Sequence, residues 1–309
     1  MSVSTLKKAL LGKVESTPST DAVPTGASNA IRVESVGPVK PGIDPIVQKM
    51  VKATWGDEAP DMNAKMMSLD VSFYLRGNGS IGTALDFAPL LHCSAHAVTV
   101  NAGVDVTIDP ITLGADSNRQ TSTFYYYEDG LEYQFVGAVA SFSLEAPIGG
   151  FLMAKATIVA PWKAPTAVAL PGTLTYQSAA PIQVKSSDVV TDNAAAIAVG
   201  SFSFDSSVAT DVTQLIGENQ ALVTDRPKPS IKLTKRSLAT AADFTRLLAL
   251  TEAAFSSVFG SAGNRFTLSA PAAQFDSVGG AEDGLFNNRD ITLQLNESTG
   301  DDAYQIVFD

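Results

Sequence analysis

Cysteine and histidine are almost missing from this 309-residue chain, which has one Cys, at 93, and two His, at 92 and 96. A single thiol excludes an intramolecular disulfide, so the fold does not lean on an oxidising compartment. His92-Cys93-x-x-His96 gathers metal-ligand types, but a closed site takes four ligands and no further His or Cys is present. These positions read as packing or surface residues, and no metal is expected. A serine nucleophile would need one of the same histidines as its base, with no G-x-S-x-G elbow to present it. The chain lacks a G-x-x-x-x-G-K-[ST] phosphate loop, and Gly77-x-Gly79 has no third glycine at dinucleotide spacing. The expectation is therefore no catalytic residue, no cofactor and no enzyme. Paired carboxylates for sugar cleavage stay open as the enzymatic alternative, because their separations are not written in a sequence.

Long apolar runs are missing too. The stretch MSVSTLKKALLGKVEST has two lysines ahead of a four-residue apolar patch. A secretory segment takes about 7–15 apolar residues and a membrane span about 20. The reading is a protein made in a cytoplasm, with no membrane partner. Positive charge is scarce, since 21 Lys and Arg against 32 Asp and Glu give −11. Gripping a duplex takes a basic stripe, and the candidates Lys7-Lys8 and Lys228–Arg236 are short and interrupted.

What is present suits β-structure. Hydrophobic residues make up 45%, and 23 Gly and 16 Pro punctuate them into short runs. Residues 1–64 read as an arm or linker. Within them DPIVQKMVKATW (44–55), with Asp44 as cap and Pro45 in the first turn, suits a short helix, with a strand as the alternative. Val71, Phe73 and Leu75, then Val104, Val106 and Ile108, alternate as half-buried strands do. A polar loop follows at 109–121. Residues 161–172, PWKAPTAVALPG, read as a connection, with strands resuming beyond them. A helix is expected from Thr240 as cap through Asp243, Phe244, Leu247, Leu248 and Thr251 to Phe255 and Val258. D-F-x-x-L-L occurs at 86–91 and again at 243–248, which favours a duplicated β domain.

The densest feature is TSTFYYYEDGLEYQFVGAVASFSLE, 121–145. Asp129-Gly130 marks a hairpin turn. The inward parity switches between Phe135 and Ala138, so a bulge is expected at Gly137. Four consecutive aromatic residues, Phe124 to Tyr127, place two rings on each face of one strand. The face turned from the hairpin's own core suits a subunit contact, tyrosine being apolar in body and polar at the tip.

The order of these motifs resembles the tail tube (major tail) protein of long non-contractile-tailed bacteriophages. The resemblance rests on VSFYLRGNGSIGTALDFAPLLHCSA (71–95), VTIDP (106–110), TFYYYEDG (123–130), GAVASFSLE (137–145) and Gly149-Gly150. The chain departs from the family at LLHCSA, where a glycine commonly follows the paired leucines. The resemblance implies a mainly β protein of two β-sandwich or barrel-like domains with flanking short helices. These would divide as arm 1–64, first domain 65–162, linker 163–172 and second domain 173–309.

It further implies a homo-oligomer of trimeric rings with a pseudo-sixfold wall, stacked into a tube of the virion tail and assembled in the host cytoplasm. Three copies would carry three times −11, or −33, and DNA would pass without specific binding. A tape-measure protein and tail-end proteins are the further partners implied. Phe124, Tyr125, Tyr126, Tyr127, Asp129 and Gly130 are the expected subunit-contact residues. The competing reading is a virion decoration or receptor- and carbohydrate-binding β-sandwich whose tyrosines stack on sugars.

Overall fold

Apolar residues at every second position, broken by glycine and proline, give strands that need partners on both edges to satisfy their backbones. The computed structural model describes residues 7–309 apart from 49, 52–58, 78, 114–118, 226–227, 237–240 and 284–285. It opens with β1 (Lys8–Val14), α1 (Gly26–Asn29), β2 (Ala30–Ile31) and β3 (Ser35–Val36). β4 (Lys40–Ile46) and β5 (Asp61–Tyr74) pair as a long hairpin, followed by α2 (Ala88–His92), β6 (His96–Asn101) and β7 (Asp105–Pro110). Next come β8 (Ser122–Glu128), β9 (Leu131–Pro147) and β10 (Met153–Pro161). Beyond the proline-rich stretch lie β11 (Val189–Asp192), β12 (Ala195–Ala196), β13 (Val199–Asp205) and the hairpin β14 (Ala209–Leu215) with β15 (Glu218–Asp225). β16 (Ser230–Arg236), α3 (Ala242–Leu248), β17 (Glu252–Ser261), β18 (Asn264–Asp283), β19 (Phe286–Asn296) and β20 (Gln305–Phe308) complete the order.

The protein is mainly β, as expected. One layer runs β4–β5–β10–β9–β13–β16–β19–β18, every neighbour antiparallel. The long strands β9 and β18 change partners along their length. The first part of β9 pairs with β8, which continues to β1 and β2. The first part of β18 pairs with β17 on one edge and β20 on the other, and β20 leads to β7 and β6. Strands on the two sides of 163–172 are therefore hydrogen-bonded, β9 to β13 and β7 to β20. One core holds Leu69 and Phe73 from the first half with Phe204 and Phe266 from the second. Phe87 and Phe308 pack at 5.7 Å between ring centres, and Phe204 and Tyr304 at 4.8 Å.

The switch of parity at Gly137 is a bulge. Ser122 faces Ala138 and Phe124 faces Phe135, so β9 carries one extra residue, and Gly137 has φ +65. Two helix expectations need correction. Asp44–Ile46 belong to β4, and 47, 48, 50 and 51 are irregular, while 49 and 52–55 fall outside the described residues. Cross-strand pairing with β5 overrides the local cap signal, and the prolines are tolerated because β4 is an edge strand. The expected 240–258 helix keeps only Ala242–Leu248; Leu250 takes φ +51, and Phe255 and Val258 lie on β17. Phe255, Ser257 and Phe259 alternate into the core at period two, a pattern only a strand between β11 and β18 can bury. Thr240, the expected cap, is outside the described residues.

Candidate assembly surfaces

β8 lies between β1 and β9, which places Phe124–Tyr127 in mid-sheet. Phe124 and Tyr126 turn into the main core, and Tyr125 and Tyr127 turn to the opposite face. Ala9, Leu11 and Ala30 cover that second face, with Leu170 and Leu174 packed against it. All four side chains are buried within one chain, none more than 7% exposed. Sequence alternation locates the two faces but not their cover, which comes from segments more than 35 residues away. Tyr125 OH donates to Asp21 Oδ2 at 2.6 Å, and Tyr126 stacks on Tyr133 at 5.9 Å. Burial raises the pKa of the Tyr125, Tyr126 and Tyr127 phenols, so they stay neutral. The hairpin reaches outward only at its turn, where Asp129 (φ 34) and exposed Gly130 (φ 100) sit and Asp129 N–H donates to Lys7 O at 3.0 Å.

Glu15, missed in the sequence, fixes the arm to this hairpin. Its Oε1 accepts from Thr123 Oγ1 at 2.6 Å and Gly137 N–H at 2.7 Å. Its Oε2 accepts from Thr121 Oγ1 at 2.6 Å and Ser19 N–H at 2.7 Å. The carboxylate is buried with its acceptor capacity filled, which is how a buried charge is tolerated.

The histidine and cysteine cluster is structural. His96 is fully buried, with Ser94 Oγ 2.9 Å from Nδ1 and Tyr304 OH 2.7 Å from Nε2, so both ring nitrogens are engaged. Cys93 Sγ donates to Leu90 O at 3.4 Å, and burial raises its pKa, leaving an unreactive thiol. Burial lowers the pKa of His92 and raises that of Asp86, the first residue of the D-F-x-x-L-L motif.

The solvent-side face of the long layer is different. Ser68, Asp70 and Ser72 on β5, Ser141, Ser143 and Glu145 on β9, and Ser201 and Ser203 on β13 alternate with core residues. Lys40 Nζ lies 2.5 Å from Asp70 Oδ2, and Lys155 Nζ lies 2.5 Å from Glu145 Oε1. The Lys40 hydrogen bond holds the Asp70 carboxyl below its ordinary pKa. Thr234 Oγ1 donates to Asp290 at 2.6 Å. The sequence signal was the alternation of serine with apolar residues in ASFSLE (140–145) and GSFSFD (200–205), segments that pair as β9 and β13. At one end β14–β15 lies on this face, with Val212 and Ala221 against Val139 and Val159. Apolar hairpin residues stay exposed beyond it: Ile46, Met62, Leu215 and Ile216.

These residues define a mainly β protein whose long layer presents a polar, charge-paired sheet face. A family model described as phage tail tube protein matches residues 5–296, and the chain belongs to that family. It is a structural protein of a bacteriophage tail, one subunit of a many-subunit tube. No curated protein matches the chain. Among the described residues, no helix is long and apolar enough to cross a membrane.

Proposed function

We propose that this chain builds the tube wall as trimeric rings, each chain contributing two wall units, and that DNA leaves the capsid through the bore of the stacked rings. The observation that carries this reading is the polar sheet face. A polyanion sliding past it meets hydroxyls, and lysines such as Lys40 and Lys155 already held by carboxylates, instead of a basic stripe. The formal charge of −11 per chain adds repulsion.

The two-unit reading draws on a repeated plan. β5, α2, β8, β9 and β10 succeed one another as β16, α3, β17, β18 and β19 do. β9 carries its extra residue between Phe135 and Ala138, and β18 carries one between Ala270 and Ala273. On this plan 65–162 and 173–309 are sibling units fused through 163–172. The exposed apolar hairpin residues, the 1–64 arm and the 109–121 loop meet the adjacent ring. The Asp129-Gly130 turn sits at a subunit contact, and a tape-measure protein and tail-end proteins are further partners in host-cytoplasm assembly. Electron microscopy of the purified protein tests this. Hollow rings or tubes with threefold averages are expected, and solitary molecules that bind glycans would overturn it.

A further inference from the structure

Leu215-Ile216-Gly217-Glu218 forms the tip of the β14–β15 hairpin, with Leu215 opposite Glu218. Surface turns favour Gly, Asn, Asp and Ser, yet here Leu215 is largely exposed and Ile216 fully so. The tip is held in place. Asn63 Nδ2 donates to Gln214 Oε1 at 3.0 Å, and Asn219 Nδ2 donates to Lys65 O at 3.3 Å. Lys65 Nζ lies 3.5 Å from Asp211 Oδ1. The tip therefore sits beside the start of β5, where Met62 is also exposed. The opposite end of the long layer carries an apolar hollow. There Pro147 of β9 lies opposite Ser201 of β13, and β10 begins at Met153 opposite Tyr74, the last residue of β5. A cavity of about 280 Å³ opens at this end, lined by Ile148, Val190, Ile197, Phe202 and Phe259. Phe202 and Phe259 are buried core residues, whereas Ile148 is more than half exposed. Lys185 also borders the cavity. Among the described residues, neither the Lys185 ammonium nor the Glu218 carboxylate has an ion-pair partner.

We infer that the Leu215-Ile216 tip of one copy seats in this cavity of a second copy in the adjacent ring, with Glu218 meeting Lys185 at the mouth. The inference rests on the tube reading and deepens it by naming one stacking contact. Tip and cavity lie at opposite ends of the layer, so the contact is head-to-tail. Such a contact does not close between two copies and repeats from ring to ring, as a tube of many rings requires. The cavity has room for two branched aliphatic side chains, and seating them takes apolar surface out of water on both partners. The ties to Asn63 and Lys65 already order the hairpin, so little freedom is lost on docking. The opposite charges of Glu218 and Lys185 fix the orientation of the turn in the mouth.

The test uses assembled full-length protein. Ile216→Cys is combined with Ile148→Cys, both exposed positions, while buried Cys93 is left in place. A short bifunctional thiol reagent applied to tubes is expected to join position 216 of one chain to position 148 of the next. The product is a ladder of linked chains, and each single variant gives only monomer. Tubes visible by microscopy that yield no 148–216 link would overturn the seating and leave the tube reading intact. Unaltered protein that forms neither rings nor tubes at any concentration would overturn both. Ile216→Asp places a charge on a fully exposed residue, so melting should stay unchanged while the concentration needed for tubes rises about tenfold or more. Tubes formed by that variant at the original concentration would refute the seating. Where the cysteine pair fails to assemble, a charge exchange decides. Glu218→Lys and Lys185→Glu should each impair tube formation and together restore it, and a double variant no better than either single one refutes the contact.

Discussion

Replacing Glu15 by Gln keeps the side chain's shape and changes one oxygen into an NH2 group. Each carboxylate oxygen accepts one threonine hydroxyl and one backbone N–H: Thr123 and Gly137 at Oε1, Thr121 and Ser19 at Oε2. Whichever oxygen is lost, the hydroxyl can rotate to another acceptor and the backbone N–H cannot. One N–H is left facing a donor, a loss of about 1–3 kcal/mol, and the remaining bonds lose their charge assistance, about 1 kcal/mol more. Glu15→Gln is therefore expected to destabilise the dissociated subunit by about 2–4 kcal/mol in urea titration. Glu15→Ala strands both N–H groups and should lose about 3–5 kcal/mol. Because Ser19 is bound to the same carboxylate, protease cleavage around residues 16–25 should quicken before global unfolding. A Gln variant within about 0.5 kcal/mol of the original, with unchanged cleavage, would refute the claim that this carboxylate clamps the arm.

Gly137→Ala forces a side chain into φ +65 with its Cβ 2.9 Å from Ser19 Oγ and 3.2 Å from Ser19 Cα. Thermal unfolding should show a loss of about 2–3 kcal/mol, and a neutral result would remove the bulge from the argument. Serine at Tyr125 and Tyr127, like serine at Phe124 and Tyr126, should lower the melting temperature, since both faces are covered within the chain, at about 2–5 kcal/mol per ring. Unchanged melting with blocked assembly in the Tyr125/Tyr127 variant would instead mark that face as a subunit contact.

Features that depend on near neighbours were legible in the chain. The Asp129-Gly130 turn and the Gly137 bulge follow from residue chemistry and a parity switch inside one hairpin. The scarcity of His and Cys foreshadowed that His96 would be a packing residue, although its partner Tyr304, 208 positions away, was not visible. The two helix expectations failed where a local signal competed with a distant strand: Asp44 and Pro45 against β5, and the 255–258 run against β11 and β18. Burial of Tyr125 and Tyr127 was hidden for the same reason, since Leu11 and Leu170 reach them only after the chain folds back.

The sequence alone determined the β class, the net negative charge, the scarcity of His and Cys and the position of the Asp129-Gly130 hairpin. All of these arise from composition or from alternation within about ten residues. Tertiary structure alone decided which faces are covered, that Glu15 is a clamp, and that the two halves share a sheet and a core. Backbone hydrogen bonding between strands carries no side-chain code for its partner, so an edge's occupant is settled by the register of the whole sheet.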